Sequence, residues 1–294
     1  MKGTIVLLST EYYYWLLTTM RIWLGTSGYS YADWVGGFYP AGLRPGKMLS
    51  YYTQHFPLVE LNFTFYRPPT AAMLARLAEQ TPGGFQFIVK MPRTLSHDEK
   101  PDDLPGFRLA LEELERRKRL LGVLCQLPQA AHNSSRHRAW LERLATELPG
   151  KRLAVEFRHH SWAHPEVNAW LGERSMHLVS VDVPDLPGLY PRGLVCSTPL
   201  LYLRLHSRRA ENWYRSDVNR YDYSFSDEEL SEWIQAIRGS MSETVFILFN
   251  NCKRSQAAAN AQRMRELLER MAPEMDLVAP LAALREEPRQ QLLF

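Results

Sequence analysis

AVEFRHHSW, residues 154–162, is an apolar run that ends in a carboxylate, a guanidinium and two imidazoles. A short apolar run of this kind reads as a buried strand, and a buried charge costs several kcal/mol unless it is paired or used. The end of the strand is therefore a candidate site. Side chains alternate between the two faces of a strand, so Glu156 and Arg158 share one face while Val155 and Phe157 share the other. The same division recurs at 58–62, where Glu60 and Asn62 oppose Val59 and Leu61. It recurs again at 201–206, where Tyr202, Arg204 and His206 oppose Leu201, Leu203 and Leu205. An apolar face against helices and a polar face toward an enclosed interior is the arrangement of a closed barrel.

Working outward, strand patterns at 22–26, 58–62, 86–90, 122–126, 153–157, 177–182, 201–206 and 244–250 alternate with amphipathic helical patterns. The helical patterns fall at 45–56, 70–80, 105–120, 134–148, 165–174, 227–238 and 255–271. This alternation predicts an α/β fold, a (β/α)8 TIM barrel with its site at the C-terminal ends of the strands. Between the sixth and seventh strands, VPDLPGLYPRGLVCSTP holds too many Pro and Gly residues for a helix, so the sixth crossover is expected to be irregular.

A chain of 294 residues at 45% hydrophobic suits one such barrel. Residues 1–19 read as an N-terminal extension ahead of a start at Met20, 20–272 as the barrel, and 273–294 as a C-terminal tail. The first segment carries a Glu and a tyrosine cluster in its middle, which suits neither a signal peptide nor a membrane anchor. No membrane partner is expected. Cys125, Cys196 and Cys252 are odd in number and widely spaced, which argues against a disulfide framework and a structural zinc site and for a reducing, cytoplasmic compartment. A formal net charge of +3 does not by itself mark a nucleic-acid protein, so any basic footprint must be local.

Seven ordered blocks carry a family likeness: GTSGYSYADWVGGFYP, VELNFTFYRPP, FIVKMPRTLSHD, VLCQLP, VEFRHHSW, YLRLH and FNN, the last followed by Asn260–Ala261. In these blocks, between residues 21 and 268, the chain resembles the YecE-like family, domain of unknown function 72. The resemblance implies a TIM barrel and brings no activity with it. The likeness to endonuclease IV and xylose isomerase-type barrels is at the level of fold, which does not fix function.

Lys90, Gln126, Asp182 and Asn250 end four further strands, so a ring of polar groups is expected at the barrel mouth. Glu60, Glu156, Asp182, His206 and His97 are the candidate acids and bases, the two histidines as proton shuttles near neutral pH. Lys90, Arg158 and Arg204 suit a phosphate or carboxylate, with Asn62, Gln126, Asn250 and Asn251 as polar contacts. An ion pair between Glu156 and Arg204 is the structural alternative. Glu156, Asp182 and His206 end consecutive strands and form a plausible metal-ligand set; three cations on the same rim disfavour a divalent metal, and the cofactor stays open. No HExxH, P-loop or GxGxxG sequence is present.

Aromatic residues crowd the same loops: Tyr29, Tyr31, Trp34, Phe38 and Tyr39, then Phe65 and Tyr66, then Trp162, then Trp213, Tyr214, Tyr221 and Tyr223. Most are expected to pack the loops over the mouth, with Tyr29, Trp162 and Trp213 as binding candidates able to stack on a base or sugar. Arg208, Arg209, Arg215 and Arg220 interleave with the last group, a footprint suited to nucleic acid or to a solvated loop. At the chain end, Gln290, Leu293 and Phe294 resemble the Gln-x-x-Leu-Phe peptide that docks on the bacterial sliding clamp. The alternative is an apolar tail packed on its own barrel.

Three functional readings follow. The first is an enzyme on a phosphate-bearing substrate, with nucleic acid and phosphoester hydrolysis foremost. The second is a non-catalytic barrel that binds a ligand or partner. The third is a hydrolase or isomerase of small phosphorylated or carboxylated metabolites.

Overall fold

Strand β1 (Arg21–Ser27) starts a right-handed succession of parallel strands: β2 (Leu58–Leu61), β3 (Gln86–Lys90), β4 (Leu120–Gln126), β5 (Leu153–Glu156), β6 (His177–Asp182), β7 (Leu200–Leu205) and β8 (Thr244–Phe249). The computed structural model describes residues 19–211, 213–214 and 220–281. Each strand pairs in parallel with the next, β8 pairs with β1, and β1 pairs with β2 through Gly25, Thr26 and Ser27. The barrel is closed, as the alternation predicts.

The helices form where apolar residues recur at helical spacing and where the ends are capped. They are α1 (Met48–Tyr52), α2 (Ala71–Glu79), α3 (Arg93–Ser96), α4 (Leu104–Arg116), α5 (Ser135–Glu147), α6 (Pro165–Glu173), α7 (Asp227–Arg238) and α8 (Gln256–Met271). In α4, Leu104, Phe107, Ala110, Leu111 and Leu114 make one buried stripe. Ser226 and Glu229 close a capping box at the start of α7, which satisfies two of the backbone N–H groups that a helix N-terminus leaves unpaired. Among the described residues no helix is long and apolar enough to cross a membrane.

Two features depart from the simple alternation. The stretch after β6 forms no helix; it lies along the barrel through single bridges between Val181 and Gly193 and between His159 and Leu189, and Ser180 Oγ bonds both ways with the backbone of Val195. Pro and Gly there produce the expected irregular sixth crossover. After α8, a short strand β9 (Asp276–Leu277) pairs with the first two residues of β1. Because β2 meets β1 only from Gly25 onward, β9 occupies the same edge of β1 lower down, so the chain continues the barrel wall beyond residue 272.

The seam between β1 and β2 depends on Gly25, where a Cβ would stand 2.2 Å from the carbonyl oxygen of Leu58. That close approach leaves room for Tyr52 to tie the seam: its hydroxyl accepts from the Thr26 N–H at 2.9 Å and donates to the Leu58 carbonyl at 3.0 Å. Replacing Gly25 by Ala is expected to cost about 3 kcal/mol, at the upper end for overpacking. Urea denaturation of G25A should show this as a lowered midpoint with an unchanged slope.

Candidate functional site

Strand register decides which side chains meet inside the barrel. Ser27 pairs with Glu60, Glu60 with Ile88, Lys90 with Leu124, Gln126 with Glu156, Val181 with Arg204, and Arg204 with Leu248. Side chains paired in this way point to the same face, so Glu60, Lys90, Gln126, Glu156 and Arg204 converge on the interior. The outward positions are apolar and lie under the helices.

At the centre stands Arg204, fully buried. Its Nε and Nη2 donate to the two oxygens of Glu60 at 2.9 and 2.7 Å, its Nη1 donates to Glu156, and Nη2 also reaches Ser27 Oγ at 3.3 Å. Tyr202, one step earlier on the same face of β7, donates its hydroxyl to Glu60 at 2.5 Å. Burial works against the charge on Arg204, and the carboxylates of Glu156 and Glu60 more than offset it, holding its pKa well above the usual arginine value. Burial likewise pushes the Glu156 carboxyl up, but Arg158 and Arg204 together bring it well below the ordinary carboxylate range. The ion pair expected between Glu156 and Arg204 is present and is part of a larger network.

Nearer the mouth, Arg158 Nη2 lies 2.5 Å from Glu156 Oε1 and 3.4 Å from Gln126 Oε1. Lys90 Nζ donates to that same Gln126 oxygen at 2.9 Å and lies over the ring of Phe65, 4.8 Å from its centroid. Among the described residues Lys90 forms no salt bridge, and burial with the neighbouring Arg204 lowers its pKa to about 7. Asn250 Nδ2 donates to His206 Nδ1 at 2.9 Å, which leaves the ring proton on Nε2, facing Glu156 Oε1 at 3.4 Å. Asn62 Nδ2 donates to Asn250 Oδ1 at 3.4 Å. A line of polar side chains thus crosses the mouth from Asn62 through Asn250, His206 and Glu156 to Arg158, hydrogen-bonded from Asn62 to His206 and charge-paired from Glu156 to Arg158. Along it, Asn62 Oδ1, His206 Nε2, Glu156 Oε1 and Arg158 Nε are buried and make no well-angled hydrogen bond with the described residues.

Each end of this line opens into a cleft. One, of about 450 Å³, is walled by Tyr29, Tyr31, Asn62, Phe63 and Tyr66. The other, of about 210 Å³, is walled by His97, Gln126, Arg158, Trp213, Arg220 and Tyr221 among others, and among the described residues no Asp or Glu lines it. The first cleft is shaped by Gly28, whose φ of 88° turns the backbone where a Cβ would meet the Tyr31 hydroxyl at 2.4 Å. On the far side, Arg254 and Ser255 adopt left-handed backbone with φ of 48° and 64°. Their loop is fixed by Ser255 Oγ accepting from the Phe38 N–H and by Asp33 accepting from the Arg254 N–H.

Several expectations need correction. Asp182 pairs in register with Leu205, not with an inward residue, so it faces the helices. There it is fully buried and accepts from Arg208 and from the indole N–H of Trp233 in α7 at 2.6 Å. Arg208, held by Asp182, Glu229 and Glu232, is thereby removed from the proposed basic footprint, and Arg215 lies outside the described residues. Glu156, Asp182 and His206 are consequently not brought together, and among the described residues no cluster of three or more His, Cys, Asp or Glu is placed to hold a metal. Trp162 is a packing residue: it is fully buried, stacks on Phe157 at 4.2 Å and donates to the Ala131 carbonyl. Asn251 is also structural, donating to the Tyr223 carbonyl and to Asn260.

The two candidate proton shuttles are held neutral. Burial and the cations Arg158 and Arg204 lower His206 to about 3, and burial with Lys90 and Arg93 lowers His97 to about 4. The group poised near neutrality is Lys90. Tyr202 and the cleft residues Phe63 and Tyr66 were not among the predicted site residues; for Tyr202, its parity with Arg204 was the available signal. The predicted clamp peptide of Gln290, Leu293 and Phe294 lies outside the described residues.

The family described as "Protein of unknown function DUF72" matches residues 23–286. The chain belongs to the DUF72 family. It is 28% identical over 271 residues to the UPF0759 protein YunF of Bacillus subtilis, covering 84% of this chain and 95% of that one. Among solved structures it is similar to a DUF72 family protein of Thermotoga maritima, with 36% identity, a TM-score of 0.78, and coverage of 85% and 99% of the two chains. A DUF72 family protein of Enterococcus faecalis shares the fold at 24% identity and a TM-score of 0.74, covering 84% and 95%. These likenesses agree with the barrel and with the family resemblance read from the seven sequence blocks.

Arg204→Met should cost about 3–5 kcal/mol of stability, because two buried carboxylates lose their partner. Chemical denaturation of R204M measures the loss, and the double variant R204M/E60Q should recover part of it.

Proposed function

We propose that the barrel mouth binds, and acts upon, an anionic phosphate-bearing substrate. One observation carries this reading. Inside the barrel Glu60 and Glu156 are matched by Arg204 and Arg158, and Lys90 is a further, half-buried cation that has no carboxylate partner among the described residues, next to a cleft lined by Arg158 and Arg220 and, among the described residues, by no acidic side chain. A site with surplus positive charge at low solvent exposure attracts anions, and guanidinium groups match phosphate geometry. Arg158 and Lys90 would hold the anion, Gln126 would fix both cations through one oxygen, and Arg220 would close on it from the loop.

The chemistry available is general acid–base catalysis by Lys90, with Arg158 and Lys90 stabilising charge that develops on the substrate. His206 serves as a neutral donor rather than a base, and Glu156 serves as the fixed charge that orients His206 and Arg158. Hydrolysis of a phosphoester bond suits these parts. The hydrogen-bonded burial of Glu60, Arg204 and Tyr202 supports a second reading, in which the network is structural and the barrel binds its ligand without turning it over.

Sulfate carries the same charge across neutral pH and so reports Lys90 alone. Lys90 is protonated below about 7 and neutral above it, so sulfate affinity should fall as pH rises through 7, and K90M should bind weakly with a flat pH profile. Calorimetric titration at pH 6 and 8 checks this, and unchanged affinity in both K90M and R158M rejects the site. Under the catalytic reading, K90M should lose at least about 100-fold in turnover of a phosphoester substrate, the range of a general acid–base contribution. Turnover equal to that of the unaltered protein would leave the binding reading.

A further inference from the structure

The 450 Å³ cleft between Tyr29, Tyr31, Phe63 and Tyr66 lies at the opposite end of the polar line from Arg158. Its volume lies within the range of small-molecule sites, and its walls are largely aromatic. Tyr66 is 84% exposed. A tyrosine so open to water at the lip of a cleft adds little to the packing of the barrel and presents a free ring face. Beneath it, Asn62 Oδ1 is buried and has no hydrogen-bond donor among the described residues, while Asn62 Nδ2 is committed to Asn250. A group entering this cleft would meet flat apolar walls and one oriented acceptor. Between the two clefts His206 and Glu156 are fully buried and line neither, so a ligand that reaches both clefts passes above them.

We propose that this aromatic cleft is the subsite for the ring of the substrate, and that the substrate is a nucleoside phosphate, with its base between the tyrosines and its phosphate at Lys90 and Arg158. The proposal rests on the anion reading of the other cleft and specifies what the anion is attached to. A base offers a flat face to Tyr66 and an N–H to Asn62 Oδ1. Asn62 and Tyr66 are then specificity-determining residues, and Arg158 sets affinity for every phosphate ester alike.

Calorimetric titration of the full chain with adenosine 5′-monophosphate, ribose 5-phosphate, adenosine and inorganic phosphate separates the parts. The nucleotide should bind tighter than phosphate by on the order of tenfold or more, the range of one stacked base. Y66A and N62L should lose that margin while keeping the affinity of the unaltered protein for inorganic phosphate, and the exposure of Tyr66 makes Y66A the variant least able to act through misfolding. Equal affinity for nucleotide, ribose 5-phosphate and phosphate overturns the ring subsite and leaves the anion site standing. Ribose 5-phosphate bound as tightly as the nucleotide, with both sensitive to Y66A, overturns the base as occupant in favour of the sugar. Adenosine bound while phosphate is not overturns the anion reading alone, and no binding of any of the four overturns both.

Discussion

Arg204 spans the barrel interior with one guanidinium held between two carboxylates from strands on different sides, Glu60 on β2 and Glu156 on β5. None of the three can be removed from water without the others, since a lone buried charge costs far more than a paired one. These three carry one negative charge in excess, which Arg158 in the polar ring above balances. Tyr202 and Ser27 complete the layer by satisfying the remaining lone pair and N–H. Where many barrels fill this layer with branched apolar residues, this one ties three strands together electrostatically.

Because these four charges balance, the charges nearer the opening have an identifiable surplus. Arg158 answers the second oxygen of Glu156, and Lys90 is left with an amide oxygen and an aromatic face. Burial, reinforced by the same positive field, keeps His206 and His97 neutral, so two residues whose ordinary pKa would make them natural proton carriers are disqualified by their surroundings, and Lys90 is brought into their range. Electrostatic context, not residue type, selects the acid–base candidate.

Family membership fixes the barrel and leaves the chemistry to the site, since one barrel hosts many activities. The seven sequence blocks supply most of that site: Asn62, Lys90, Glu156, Arg204, His206 and Asn250 all fall within them. The first cleft is walled by residues of the first two blocks, where Gly28 bends the backbone, and the second also draws on Trp213, Tyr214, Arg220 and Tyr221, which lie outside them.

The period-2 alternation of apolar and polar residues determined the strands, the closed barrel and the inward placement of Glu60, Glu156 and Arg204, because parity along one strand is a local property that sequence displays. The Pro- and Gly-rich sixth crossover was legible for the same reason. Register between strands is not local, and it alone turned Asp182 outward onto Arg208 and Trp233, even though it ends its strand as Glu156 nearly does. Likewise an aromatic residue after a strand reads the same whether it lines a cleft, as Tyr66 does, or fills the core, as Trp162 does; only the packing of distant loops separates them. The pKa values, which depend on summed charge and burial across the barrel, belonged wholly to the tertiary structure.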